Sequence, residues 1–358
     1  MPQAKPLASA PAVPMSVCIL RLSALGDATH VVPIVRTIQH AWPDTTITWV
    51  IGRAEARLLN LLPGVEFITI DKHSLRNGAL TLRRALRERR FDVLLHMQTA
   101  LRASLYSMLI RADRRIGFDR ARARELQWLF TNRQIAARRN EHVLDSFFGF
   151  TEALGIDERR LEWRLPMPTA LSDWAYALIP DGQRTLLVSA CSSRRARNWR
   201  SERYAAVIDH AVRHHGLQVL LCGGPSDYER AMGAAIERQV NVPVRNIIGT
   251  DTLPQLLALL ARATALLAPD SGPAHMATMV GTPVIGVGAT TRSARSGPYL
   301  SRQWCVDRYA EAALKFRDRP ATALAWNETI EDDGAMDLVD TAAVCAKLDA
   351  LLASAPPR

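Results

Sequence analysis

The stretch Ala265-Leu266-Leu267-Ala268-Pro269-Asp270-Ser271-Gly272-Pro273-Ala274-His275 is an apolar run that passes through small residues into a helix start. The next apolar run, Val284-Ile285-Gly286-Val287, follows the turn signal Gly281-Thr282-Pro283. A buried strand, a tight turn and a helix start aim free backbone N–H groups at one point, and such a point binds anions, phosphate above all. A strand, a helix and a second strand in this spacing form the repeating unit of a parallel sheet covered by helices.

The same alternation extends through both halves of the 358 residues. In the first half, strands are expected near Val17–Leu22, Ile47–Ile51, Glu66–Ile70, Val93–Met97 and Arg114–Phe118. Helices are expected after the first of these, on either side of the fourth, and from about Glu141 to Gly155. Pro166 and Pro168 mark a linker. Beyond it the sequence predicts strands at Thr185–Ala190, Gln218–Cys222, Val244–Ile248, Ala265–Ala268 and Val284–Val287. Helices are predicted at Arg203–His215, Asp227–Gln239, Pro254–Arg262 and from Pro273, with a last one around Leu338 to Leu352. The reading is α/β, with two doubly wound, Rossmann-like domains whose strand C-terminal ends face a cleft. Its boundaries are a lead-in over 1–15, an N-terminal domain over 16–165, a C-terminal domain over 166–335 and a packing helix over 336–358.

Apolar residues make up 48% of the chain, enough for two cores of roughly 150 to 200 residues each. The net charge of +10 is carried by arginine, since Lys5, Lys72, Lys315 and Lys347 are the lysines. That excess reflects either coding bias or a need for planar forks that grip phosphate and carboxylate. Cys18, Cys191, Cys222, Cys305 and Cys345 are scattered, without metal-ligand spacing, which fits a reducing cytoplasm and predicts neither disulfides nor a zinc site. The first fifteen residues lack an uninterrupted apolar segment and read as a flexible lead-in, not a signal peptide. No apolar run reaches the ~18 residues of a membrane span.

Five loops that follow predicted strands carry candidate chemistry. Ser23-Ala24-Leu25-Gly26-Asp27 places a carboxylate where the first strand turns into a helix, either as a cap or as a general base. Ser192-Ser193, followed by Arg194, Arg195, Arg197 and Arg200, offers hydroxyls and cations suited to a diphosphate, or is a solvated basic loop. Gly223-Gly224-Pro225 lets a ligand approach the backbone, with Asp227 or Glu229 in reach of a ribose diol, or is only a tight turn. His275, one turn into its helix, either packs or donates to a phosphate oxygen. Arg120, Arg122 and Arg124 alternate with alanines in a loop that could meet an acidic acceptor.

Together, Leu22–Asp27, the hydroxyl-to-Arg197-Asn198-Trp199 loop, Gly223-Gly224-Pro225 and Asp270–His275 resemble the lipopolysaccharide heptosyltransferases of glycosyltransferase family 9, over roughly residues 16 to 290. The resemblance implies a GT-B fold and an inverting, metal-independent transfer of heptose from ADP-L-glycero-D-manno-heptose to the Kdo–lipid A inner core. It implies that Asp27 is the catalytic base, and that Ser192, Ser193 and Arg197 hold the donor diphosphate. Glu229 would take the ribose, with Asp227 near enough to compete, and Asp270, Ser271, Gly272, Pro273, Ala274 and His275 would form the nucleotide side, with the amides of 271–274 carrying charge. Gln98, Arg120 and Arg124 would contact the acceptor. Arg197 stands where lysine is usual, His96 where aspartate is common and Thr99 where glycine is common. The Cys305–Met336 segment departs from the best-known first and second heptosyltransferases, as in a divergent, heptosyltransferase I-like branch; a lid, a nucleotide-edge contact or a brace would each suit it.

These readings imply an ADP-sugar donor, no metal cofactor, and a cytoplasmic enzyme that sits peripherally on the anionic inner leaflet, where each nearby basic residue contributes about 1 kcal/mol. The rival readings are another nucleotide-sugar transferase or an epimerase of the same fold. A basic nucleic-acid-binding protein is disfavoured, because aromatics are 6% and no stacking platform is visible.

Overall fold

The computed structural model describes residues 13–72 and 74–354. The lead-in expected over 1–15 lies outside the described residues except at its end, where Met15 N donates to Asp92 Oδ2 at 2.7 Å and Thr45 Oγ1 donates to Pro14 O. The chain divides into two units, Met1–Arg138 with Leu144–Trp163, and Arg139–Val143 with Arg164–Arg358.

In the first unit, β1 Ser16–Leu20, β2 Thr46–Gly52, β3 Val65–Ile70, β4 Phe91–His96, β5 Ala112–Gly117 and β6 Arg133–Gln134 form one sheet in the order β3-β2-β1-β4-β5-β6. Every pairing is parallel. Val17, Cys18, Ile19 and Leu20 are completely buried, as expected of a strand covered on both faces, so their side chains need not alternate with polar ones. The covering helices are α1 Leu25–Ala41, α2 Arg53–Leu59, α3 Leu75–Ala85, α4 Leu101–Ser107 and α5 Val143–Leu154. Strand order reverses between β1 and β4, where Leu20 is in register with His96. The loops that leave these two strands are therefore neighbours, at the switch point where this topology leaves room for a ligand.

The second unit repeats the plan. Strands β7 Thr185–Val188, β8 Gln218–Leu221, β9 Arg245–Asn246, β10 Ala265–Pro269, β11 Val284–Gly288 and β12 Val306–Asp307 run parallel in the order β12-β11-β10-β7-β8-β9. Its helices are α6 Thr169–Leu178, α7 Ser201–His215, α8 Asp227–Glu237, α9 Leu253–Arg262, α10 Gly272–Met279, α11 Ser293–Ser296, α12 Tyr309–Arg317 and α13 Thr341–Ser354. The reversal now falls between β7 and β10, so the loop after Val188 lies beside the loop after Pro269. The core of this unit includes Val344, Leu348 and Leu351, so α13 belongs to it.

The differences from expectation are local. The strand expected over 244–248 shrinks to Arg245–Asn246 because Asn246 Oδ1 accepts from Ile248 N at 3.0 Å, a side-chain turn that competes with the ladder. The presumed linker past Pro168 is followed at once by α6, with Pro168 at its N-cap. The Cys305–Met336 segment braces its own unit: the buried Arg292 donates to Ala325 O at 2.9 Å, Trp326 O at 3.2 Å and Tyr309 Oη at 3.1 Å. Among the described residues no helix is long and apolar enough to cross a membrane.

Candidate active site

Asp270 directly follows β10 and is the hub of the second unit's site. Its Oδ2 accepts from Arg197 Nη1 at 3.1 Å, Thr291 Oγ1 at 2.9 Å and Ser296 Oγ at 3.0 Å, and its Oδ1 lies 3.5 Å from His275 Nε2. Burial alone would raise this carboxyl. The hydrogen bond from His275, the charge of Arg197 and the bond from Thr291 outweigh it and hold the carboxyl down at about 2. Asp270 is thus a fixed anion that draws three loops together, those after β7, β10 and β11.

Ser271 is the N-cap of α10, yet its hydroxyl makes no capping bond, and Ser271 Oγ is buried with no hydrogen-bond partner. Arg197 Nε is buried in the same condition. Buried polar atoms are rarely left so, and two of them beside one helix N-terminus point to a polar ligand. Pro273 has no amide hydrogen, so the N–H groups available at this helix start are those of Ser271, Gly272 and Ala274, not the whole 271–274 run. A cavity of about 20 Å³, room for a water, adjoins Asp270 and is lined also by Gly288, Thr291, Ser293 and Asp307.

The loop after β7 is pinned at its far end by Trp199, which is buried, stacks edge-on against Tyr204 with centroids 5.2 Å apart and donates from Nε1 to Val339 O at 3.1 Å. Asn198 closes the loop on itself, accepting from Ser192 N at 2.6 Å and donating to Tyr228 Oη at 3.1 Å. Ser192 is buried and Ser193 exposed. Of the other arginines there, Arg194 pairs with Glu331 at 2.9 Å, Arg195 covers the Tyr228 ring at 4.6 Å and Arg200 pairs with Asp337, which leaves Arg197 as the one turned to Asp270.

Glu229 and Asp227, two residues apart and rivals for the ribose in sequence, differ sharply in structure. Asp227 is exposed at the head of α8. Glu229 packs on the Gly223–Gly224 turn so closely that a Cβ at Gly224 would meet its Oε2 at 2.6 Å. Burial raises the Glu229 carboxyl, countered in part by a backbone hydrogen bond at Gly224, and Oε2 has no partner.

In the first unit, Asp27 lies in the first turn of α1, and Ala24, not Asp27, is the N-cap. Asp27 pairs with Arg21, whose side chain is buried, donates to Met97 O at 2.5 Å and stacks on Phe147 at 5.3 Å. Gln98, on the neighbouring loop, uses its Oε1 to accept from Leu22 N at 2.7 Å. Gln127 Nε2 in turn donates to the carbonyls of His96 at 2.8 Å and Gln98 at 3.0 Å. Gln98 therefore fixes the loop that leads to Asp27. His96 is a core residue, 3.1 Å from Ser104 Oγ, and burial and the charges of Arg115 and Arg21 push it down to about 3, so it is neutral. Arg122 is tied to Asp119 and, at 2.8 Å, to Ser146 Oγ. Arg120 and Arg124 are exposed on the same loop, with Arg120 3.5 Å above the Trp128 ring.

The structure adds three residues the sequence reading passed over: Arg21, Thr291 and Ser296. Thr291 and Ser296 follow strand β11, so a search of every loop after a strand for hydroxyls would have found them.

Residues 79–326 match glycosyltransferase family 9 (heptosyltransferase). The chain is 38% identical over 338 residues to the lipopolysaccharide core heptosyltransferase OpsX of Haemophilus influenzae, covering 94% of this chain and 97% of that one. It is 22% identical to lipopolysaccharide heptosyltransferase 1 of Escherichia coli K12, over 81% and 92% of the two chains. In fold it resembles a family 9 glycosyltransferase of Veillonella parvula, at TM-score 0.77 and 20% identity over 95% and 98% of the chains. It likewise resembles E. coli heptosyltransferase WaaC with ADP, at TM-score 0.70 and 19% identity over 94% and 100%.

Proposed function

The chain belongs to glycosyltransferase family 9, the heptosyltransferases, and from that premise we propose that it moves heptose from ADP-L-glycero-D-manno-heptose to the Kdo–lipid A region of a lipopolysaccharide core, inverting the anomeric carbon. The observation that carries the donor half is the convergence of Arg197, His275, Thr291 and Ser296 on Asp270 at the head of α10, with Ser271 Oγ and Arg197 Nε buried and unpartnered.

In this reading the diphosphate takes hydrogen bonds from the Ser271, Gly272 and Ala274 amides, from Ser192, Ser193 and Ser271 hydroxyls, and from the free edge of Arg197. Helix-start amides and a fixed guanidinium stabilise charge that grows on the leaving ADP, and they need no reorganisation as it does. That leaves no step for which a metal is needed. Glu229 accepts from the ribose hydroxyls, which approach over Gly223–Gly224, and Asp227 stays in solvent. On the acceptor side Asp27, oriented by Arg21, takes the proton of the attacking hydroxyl. General-base catalysis of this kind contributes about 10² to 10⁴ in rate. The C–O bond to ADP breaks as the new glycosidic bond forms, so one displacement inverts the centre. Arg120 and Arg124 suit the carboxylates and phosphates of the acceptor, and with the other exposed arginines of the first unit they favour peripheral binding to an anionic cytoplasmic membrane face.

The test is a product analysis by mass spectrometry with ADP-heptose and a set of truncated cores, alongside thermal shifts with ADP-, UDP- and GDP-sugars. Heptose addition with stabilisation by ADP is expected. Stabilisation by UDP alone would remove the donor assignment, and absence of flotation with anionic liposomes at low salt would remove the membrane one.

A further inference from the structure

Helix α7 starts beside the phosphate loop at Ser201 and ends at His215, so its last turn is about 22 Å away at 1.5 Å per residue. Here His210 Nε2 and His215 Nε2 each lie 2.6 Å from the same oxygen, Oδ1 of Asp349 on α13. The three ligand atoms fall within 4.8 Å of one another. All three residues are partly buried, and the His210 and His214 rings are 4.6 Å apart. Burial would raise the Asp349 carboxyl, but the hydrogen bonds from His210 and His215 hold it below the ordinary range, so it is anionic at neutral pH.

We propose that His210, His215 and Asp349 form a binding site for a divalent transition-metal ion of the zinc class. Two imidazoles and a carboxylate are a donor set zinc accepts, at about 2.0–2.2 Å per bond, with water in the fourth position. Tetrahedral bonds of that length separate ligand atoms by roughly 3.3 Å, so the 2.6 Å contacts need to open by less than 1 Å. Each imidazole shifts its proton from Nε2 to Nδ1 and presents the Nε2 lone pair; nothing else is gained or lost. The ion would sit in the last turn of α7, where the helix dipole favours positive charge. Two ligands are five residues apart on one helix, and the third is on the helix whose Val344, Leu348 and Leu351 are core residues. The ion would therefore clamp α13 to α7, far from Asp270, and take no part in transfer. Cys345, one turn before Asp349, stays outside the donor set, with burial pushing its thiol up to about 11.

The experiment uses the full chain without an affinity tag, stripped with a chelator and titrated with zinc chloride against a chromophoric competitor, with metal content read after dialysis. One zinc per chain is expected. H210A/H215A should weaken binding by at least about a hundredfold, beyond the loss typical of an outer-sphere partner. Zinc should raise the melting temperature of the native protein and not that of D349N. Should the double variant fold poorly, cobalt spectra of the single variant H215Q decide: a wild-type-like d–d spectrum there overturns the site. Equal zinc binding by native chain and double variant, which is an adventitious ion only, also overturns it, as does the lack of stoichiometric zinc in the native chain.

Discussion

Arg197 Nη1 donates to Asp270 Oδ2 at 3.1 Å while Arg197 Nε is buried with no partner, so one edge of the guanidinium is anchored and another is left over. The anchored edge sets the position of the cation. The spare edge is what a phosphate oxygen would meet.

Replacing Arg197 by alanine is expected to weaken ADP binding by about 1.5–3 kcal/mol, the range for a hydrogen bond to a charged group, or roughly ten- to a hundredfold. Lysine should lose less, because it keeps the charge without the fork. Calorimetric titration with ADP measures both; unchanged affinity in the alanine variant would put the diphosphate elsewhere.

Asp27→Asn should reduce the transfer rate by about 10² to 10⁴ and leave ADP affinity as it was, since a base acts on the acceptor and not on the nucleotide. Steady-state release of ADP, paired with the same calorimetry, separates the two effects. A variant with full turnover would end the assignment.

Trp199→Ala removes a buried indole that ends the phosphate loop and should cost about 3–5 kcal/mol in chemical denaturation. Trp199→Phe keeps the packing on Tyr204 and loses the bond to Val339 O, for about 0.5–1.5 kcal/mol. If the alanine change were silent, the loop would not depend on this anchor.

Burial pushes the His142 imidazole down to about 3, against the support of its hydrogen bond with Gly297 O, 2.9 Å away. Between the ordinary histidine range near 6.5 and that value the unfolded chain binds a proton the native one does not. Stability should therefore fall as pH drops below about 6.5, by up to about 1.4 kcal/mol per pH unit for this residue. Urea midpoints for the native chain and His142→Gln between pH 7.5 and 4.5 check it: the variant should show the shallower slope.

The two sheets were legible because their central strands are short unbroken apolar runs such as Val17–Leu20 and Ala265–Ala268, bounded by turn signals and alternating with helical stretches, which suits parallel strands covered on both faces. Two-residue edge strands, Arg133–Gln134 and Val306–Asp307, carry no period to detect. At the site, the turns after β1, β7, β8 and β10 were read from their glycines, hydroxyls and charges, and the hydroxyls after β11 were not. Which of two carboxylates, Asp227 or Glu229, packs on Gly224 depends on helix phase, and that Asp27 is held by Arg21 depends on the β1–β4 register. Neither is encoded in a local motif. His96 shows the same limit from the other side: the motif marks it only as a departure from the usual aspartate, and its pleat sends it into the core.

Three donors share Oδ2 of Asp270, although a carboxylate oxygen has room for about two. The three are therefore rivals for the same lone pairs, and the departure of any one strengthens the hold of the other two. Thr291 and Ser296 keep the aspartate satisfied, so Asp270 draws on Arg197 through one shared bond while the Nε edge stays turned to a phosphate. Thr291→Val and Ser296→Ala would each bind Arg197 more firmly to Asp270, so the two hydroxyls act as a counterweight that sets how much of the cation's charge the carboxylate takes up.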